Sequence, residues 1–239
     1  MQMFTPNTAG RDFVVGDLHG CYSLLMLALD KLAFDFKRDR LFSVGDLIDR
    51  GEQSEQCLKL LDAPWMHAIA GNHEHMFIDM LKSDAHKLHF LKNGGKWVLD
   101  ADIAGFNDFE AWHHYWAGRL SALHRAATIM LPNGISIGLV HAECNESKWE
   151  NLNESDEDVI WGRFRIRHMI SSKIDGVDHV FCGHTIVKKP TTLGNITYID
   201  TGAYSEGVLS IADLSKLDPE HPKRCITRFT AAGAESFVA

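Results

Sequence analysis

The 239 residues carry 24 Lys and Arg against 32 Asp and Glu, a formal net charge of −8 at pH 7, with 45% hydrophobic and 23% charged residues. These are the values of a folded globular chain and exclude disorder, collagen and low-complexity fibre. No window approaches the ~18 apolar residues of a membrane span, and an acidic chain without clustered Lys and Arg is a poor partner for nucleic acid.

The length predicts one domain over 1–239, carrying a helical insertion at about 75–127. Residues 1–10 lack the basic flank and apolar run of a signal peptide, so the expected compartment is the cytoplasm. The five cysteines are odd in number and never at CxxC spacing, which argues for reduced thiols over structural zinc or a disulfide framework.

In chain order, a strand at 11–15 runs into Gly16-Asp-Leu-His-Gly20. Leu24, Leu25, Ala28, Leu29 and Leu32 then recur with helical period over 22–32. A second strand, 41–44, ends in Gly45-Asp-Leu-Ile-Asp-Arg-Gly51; a helix is expected at 54–61, and a third strand, 66–70, ends in Gly71-Asn-His-Glu74. Strand, polar turn and helix, three times over, predict an α/β core of mainly parallel strands. In such sheets ligands sit beyond the carboxyl ends of the strands, where all three polar turns fall. The segment 75–127 reads as helical and holds Trp97, Trp112, Tyr115 and Trp116, aromatics expected mostly to pack among themselves. Strands resume at 127–131 and 135–140, joined by Pro132-Asn-Gly134, a hairpin signal, and lead to His141-Ala-Glu143. A strand at 178–182 leads to Gly183-His-Thr185, and the segments at 196–200, 207–212 and 225–229 read as antiparallel strands. The predicted architecture is two packed mixed sheets flanked by helices.

Five strand-end segments thus offer Asp17 and His19, Asp46, Asn72 and His73, His141, and His184. Each motif alone has a plainer explanation: a strand-end His usually makes a structural hydrogen bond, and Asn-His-Glu can be a helix cap. Their joint occurrence, all with oxygen or imidazole donors, points to metal. Such donors suit Mn, Fe or Zn rather than a thiolate-selecting ion. Their number exceeds the need of one ion, and a bridging carboxylate with ligands on either side makes a two-metal centre. Gly16, Gly45, Gly71 and Gly183 each precede a candidate ligand and allow close backbone approach there.

The three Gly-flanked blocks resemble the signature blocks of the phosphoprotein phosphatase, or calcineurin-like metallophosphoesterase, superfamily, with His141 and Gly183-His184 matching its last two metal blocks. The resemblance spans 14 to about 207 and is closest to the small lambda-phage-type bacterial Ser/Thr phosphatases. Gly16-Asp-Leu-His-Gly-Cys-Tyr22, Asn93-Gly-Gly95, Val159-Ile-Trp161 with Arg163, and Tyr198-Ile-Asp-Thr-Gly202 are also similar. It implies the family's αββα sandwich. It implies one metal on Asp17, His19 and a bridging Asp46, and a second on Asp46, Asn72, His141 and His184. His73 matches the general acid, Asp49 its orienting partner, and Arg50 and Arg163 the phosphate-gripping guanidiniums. Two divalent ions follow, manganese first, with Fe, Zn, Ni or Co as alternatives.

The implied reaction is in-line hydrolysis of phosphoserine and phosphothreonine esters in proteins by a metal-bridging hydroxide, with phosphotyrosine or phosphohistidine as further substrates. The alternative within enzymes is a symmetrical diadenosine tetraphosphate hydrolase or related nucleotidase. Asp49 with Arg50, and Glu74 closing the third block, look like the protein phosphatases instead. A dead, phosphopeptide-binding homologue is disfavoured because no ligand, acid or Arg position is missing. Cys21 and Cys182 are not required as nucleophiles, His67 and His75 are expected beside the site or at the surface, and Glu143 carries no assigned role.

Overall fold

A computed structural model describes residues 1–236, the side chain of Ser236 excepted. Its strands are β1 (Gln2–Phe4), β2 (Asp12–Val15), β3 (Arg40–Ser43), β4 (Met66–Ala68), β5 (Ala126–Met130), β6 (Ser136–Val140), β7 (His179–Cys182), β8 (Thr191–Leu193), β9 (Ile196–Tyr198), β10 (Leu209–Asp213), β11 (Ile226–Thr230) and β12 (Gly233–Ser236). Its α-helices are α1 (Tyr22–Lys31), α2 (Ser54–Lys59), α3 (Asn72–Asp79), α4 (Asp84–Lys92), α5 (Phe109–Ser121), α6 (Asp158–Trp161) and α7 (Phe164–His168).

The strands form two six-stranded mixed sheets, ordered β1-β5-β6-β7-β9-β8 and β12-β11-β10-β2-β3-β4. Within them β2, β3 and β4 run parallel, as do β6, β7 and β9. The period-2 alternation of a strand explains how the sheets stack. Val14 and Phe42 point into a core shared with Ile137, Leu139 and Phe181 of the other sheet. Their neighbours Phe13, Val15 and Leu41 point the opposite way, to a core that takes in Leu25, Ala28 and Leu29 of α1 together with Phe77, Trp112 and Trp116. Val180 and Cys182 line a third cluster outside the first sheet. Both faces of β2 and β3 are therefore covered, which is why apolar residues stand on both sides of each strand.

The helical segment consists of α3, α4, a 3₁₀ stretch at Gly95–Asp100, and α5. Ser83 and Asp108 cap α4 and α5 by accepting from His86 N and Ala111 N. No helix among the described residues is long and apolar enough to cross a membrane.

One expectation about strands needs correction. The antiparallel reading of the C-terminal third holds for β10, β11 and β12, but β9 lies parallel to β7. The reversal is made before it, by a hairpin in which Leu193 pairs with Ile196 across Gly194 and Asn195. Gly194 adopts φ +64, the left-handed backbone such tight hairpins require. Strands β1, β8 and β12 have no counterpart among the expected strands, and β1 shows why. Three residues are too short to show a period, and parallel pairing with β5 makes them an edge strand.

Candidate functional site

The parallel strands of both sheets deliver their carboxyl ends to one place, and hydrogen bonds across the sheets pin them there. His141 Nδ1, after β6, donates to Val44 O, after β3, at 2.8 Å. His184 N, after β7, donates to Asp17 Oδ2, after β2, at 3.0 Å. A Cβ at Gly183 would overlap Asp17 Oδ1, so this crossing requires glycine. Of the seven non-glycine residues with left-handed backbone among the described residues, five are His19, Asp46, Asp49, Arg50 and His184. Strain of this kind persists where surrounding structure over-determines it, typically at functional sites.

Asp46 stands at the middle. Its Oδ2 lies 3.5 Å from His19 Nε2, and its Oδ1 lies 3.4 Å from His141 Nε2. Asp17 Oδ2 is 4.0 Å from His19 Nε2, and Asn72 Oδ1 is 3.0 Å from His141 Nε2. His19 Nδ1 is committed to Ile48 O at 3.0 Å, as His141 Nδ1 is to Val44 O, so both rings aim Nε2 inward. Donor atoms of His19, Asp46 and His73, and of Asp46, His141 and His184, each lie within 4.8 Å of one another. The six residues expected as ligands are thus brought together, with Asp46 shared between two halves. His73 falls geometrically within the first of these groups as well.

Next to Asp46 sits a hydrogen-bonded relay. His73 Nδ1 lies 2.7 Å from Asp49 Oδ2, and Trp97 Nε1 donates to Asp49 Oδ1 at 2.7 Å. His73 Nε2 faces inward, 3.9 Å from Asp46 Oδ2. Arg50 bridges the two histidines, with Nη1 2.7 Å from His19 Nε2 and Nη2 2.9 Å from His73 Nε2. Its backbone N donates to Gly94 O at 3.0 Å, so the Asn93-Gly94-Gly95 turn seats this loop. Arg163, half-buried at the head of α7, acts electrostatically on His184, and the Trp161 ring stands edge-on to that imidazole at 5.9 Å.

The electrostatics fit a cation. Burial, then Asp200 and Asp46, raise the Asp17 pKa well above the carboxylate range. Burial first, opposed by Asp46, drives His19 down to about 3, and burial with His141 takes His184 to about 3. His19 and His184 thus favour the neutral form that metal coordination requires, whereas at His141 burial is outweighed by the Asp46 charge and hydrogen bond and the pKa is raised. Among the described residues His184 Nε2 is buried without a hydrogen-bond partner, and a buried polar atom in that state is costly unless something binds it. Hard carboxylate and amide oxygens with imidazole nitrogens are the donor chemistry of a divalent ion such as Mn²⁺, Fe²⁺ or Zn²⁺. His73, too, differs from His19 and His184. Burial lowers its pKa, but the Asp46 charge and the Asp49 hydrogen bond outweigh burial and raise it above the ordinary histidine value.

Three residues acquire roles that the sequence did not assign. Trp97 is one, an indole from the helical segment whose N–H reaches Asp49. Glu143 is fully buried and accepts from Ile166 N of α7 at 3.1 Å and from Tyr198 OH at 3.3 Å, bracing the helix that follows Arg163. Glu74 is the third. It does more than cap α3 through Gly71 N, since its oxygens also accept from Asp46 N and Leu47 N, each of the three bonds at 2.8 Å. Replacing Glu74 by Ala strands three buried N–H groups, each costing about 1–3 kcal/mol. The expected result is a loss of more than about 3 kcal/mol in urea unfolding; a loss under about 1 kcal/mol would show that the Asp46 loop holds itself.

The chain's match to known proteins agrees with this geometry. The family model described as calcineurin-like phosphoesterase matches residues 13–188. The chain belongs to the calcineurin-like phosphoesterase family. Among curated relatives of this phosphoesterase, a serine/threonine-protein phosphatase 1 from Salmonella typhimurium is 38% identical over 204 residues, covering 84% of this chain and 90% of that protein. A symmetrical bis(5'-nucleosyl)-tetraphosphatase from Pasteurella multocida is 42% identical over 64 residues, covering 26% of this chain and 23% of its own. Among solved structures, a candidate diadenosine tetraphosphatase superposes with a TM-score of 0.67 over 97% of this chain and 99% of that one, at 21% identity, a likeness of fold.

Proposed function

We propose that this phosphoesterase is a metal-dependent protein phosphatase that hydrolyses phosphoserine and phosphothreonine monoesters, with phosphotyrosine and phosphohistidine as further substrates. Asp17, His19 and Asp46 hold one divalent cation, and Asp46, Asn72, His141 and His184 hold a second. Manganese is the ion the donor set suits, with Fe, Zn, Ni or Co able to substitute. Bound there, two cations would supply positive charge for the phosphoryl oxygens and a more acidic attacking water.

The chain's own groups do the rest. Arg50 and Arg163 grip the phosphate oxygens with planar, permanently charged forks. In the conformation described, Arg50 Nη1 meets His19 Nε2, so the guanidinium would have to leave that nitrogen to reach a phosphate oxygen. The same move would free His73 Nε2, whose lone pair receives Arg50 Nη2 in this conformation, to take a proton from solvent. His73 then holds a proton at Nε2 and gives it to the departing oxygen. Asp49 keeps the ring in register from Nδ1, and Trp97 keeps Asp49 in register in turn.

The observation that carries this reading is the His73–Asp49 pair beside Asp46. A serine or threonine alkoxide is a poor leaving group and needs a proton in the transition state. A nucleoside diphosphate leaves as a stable anion and needs none, so the acid relay favours a monoester of an alcohol over diadenosine tetraphosphate. The long alignment to the Salmonella phosphatase, against a short one to the tetraphosphatase, supports the same choice. All five cysteines are free, which supports a reducing, cytoplasmic setting. The test is to offer a phosphoserine peptide, a phosphotyrosine peptide and diadenosine tetraphosphate to the Mn²⁺-loaded protein. The phosphoserine peptide should give the highest kcat/KM, chelation should remove the activity, and Mn²⁺ should restore it. Preference for diadenosine tetraphosphate, or full activity in chelated protein, sinks the reading.

A further inference from the structure

We propose that Asp200 is a further carboxylate of the cation site, acting on the half that Asp17 and His19 define and raising its affinity for a divalent cation; this rests on the two-cation reading above. Asp200 follows β9 in the first sheet, and Asp17 follows β2 in the second. The two strand ends are pressed together at Gly16, where a Cβ would come within 2.6 Å of Ile199 O and 3.4 Å of Asp200 Cα. The Asp200 residue is 2% exposed. Its Oδ1 accepts from Gly202 N at 2.9 Å, which fixes the carboxylate in a tight turn. Its Oδ2 is buried and has no hydrogen-bond partner among the described residues.

The turn accounts for only one of the two oxygens. Asn would make it as well, because an Asx turn needs a single side-chain oxygen. A second oxygen, buried and unpaired among the described residues, costs the fold free energy unless a cation or donor meets it. The charges around it belong to the site. Asp200 acts on Asp17, and Asp46, His141 and Arg50 act on Asp200. The pocket thus gathers Asp17, Asp46 and Asp200, each at most 2% exposed, from three strand ends. Mutually repelling carboxylates, held where water cannot screen them, favour a divalent cation among them. The donor groups that lie within 4.8 Å of one another do not include Asp200, so we assign it an indirect hold, through the cation's charge and hydration shell. Partners of that kind typically change metal affinity by about 10–100-fold.

The experiment compares the wild-type chain with Asp200→Asn and Asp200→Glu. Each is stripped with chelator and titrated with Mn²⁺ alone by calorimetry, with bound metal counted by elemental analysis. Asp200→Asn keeps the Gly202 turn and removes the charge; the affinity of one of the two cations should fall about 10–100-fold. Asp200→Glu, which keeps the charge, should recover part of that loss. The rise in unfolding temperature on adding Mn²⁺, taken against each protein's own chelated form, should shrink in the Asn variant, whatever its intrinsic stability. Wild-type affinity at both cations in Asp200→Asn, with an undiminished Mn²⁺-induced rise, overturns the assignment of Asp200 alone. Failure of the wild-type chain to bind Mn²⁺ overturns the cation site itself.

Discussion

Replacing His73 by Asn is expected to lower kcat on a phosphoserine peptide by about 10²–10⁴-fold, the usual contribution of a positioned acid. On p-nitrophenyl phosphate the loss should be much smaller, because nitrophenolate departs without a proton. The contrast follows from placement. His73 Nδ1 is committed to Asp49 at 2.7 Å and Nε2 faces the Asp46 side, so the ring has one nitrogen for orientation and one for chemistry. The helix carrying His73 is held independently of the ring by Glu74, through Gly71 N and Asp46 N. Asn is therefore expected to leave the loops in place. Measuring both substrates with the same enzyme preparation separates the acid role from a ligand role. A ligand lost from the site impairs both equally, and equal losses would remove His73 from the acid position.

Asp46→Asn should be more severe. The two carboxylate oxygens face opposite ways, one toward His19 and one toward His141. An amide offers one oxygen and no charge, so it cannot serve both halves. Loss of metal charge at the phosphoryl group is worth several kcal/mol, or about a thousandfold or more in rate. Elemental analysis of the variant should show fewer than two bound ions per chain. A variant with two ions and activity within about tenfold of wild type would mean that Asp46 bridges nothing. Asp46 N is held by Glu74 and Asp46 Oδ1 accepts from His73 N at 3.0 Å, so the unfolding temperature of the chelated form should be measured alongside.

What was legible in the sequence was the chemistry at strand ends. Each polar turn follows a largely apolar strand, and strand ends of that kind have one destination in an α/β sheet. That is why Asp17, His19, Asp46, Asn72, His141 and His184 could be gathered before any coordinates. The supporting groups were not legible, for physical reasons. Trp97 lies in a 3₁₀ stretch among other aromatics, and an indole reads the same whether its N–H meets solvent or Asp49. Glu74 looks like an ordinary first-turn carboxylate until its second and third backbone donors arrive from a loop 27 and 28 residues away. Glu143 and Asp200 lie inside stretches the sequence singles out, but nothing there assigns them a role, and only burial separates them from surface charge. Strand β1 is an edge of three residues, and the hairpin that turns β9 parallel to β7 is signalled by only Gly194 and Asn195.

Crystals of the Mn²⁺-loaded chain, with anomalous scattering recorded at the manganese edge, would locate the ions without reference to activity. Two peaks, one on each side of Asp46 and about 3.5–4 Å apart, are expected. One should contact His19 and Asp17, and the other Asn72, His141 and His184. No anomalous density among these residues, or a single ion that leaves Asp46 unshared, would contradict a dinuclear centre in this chain.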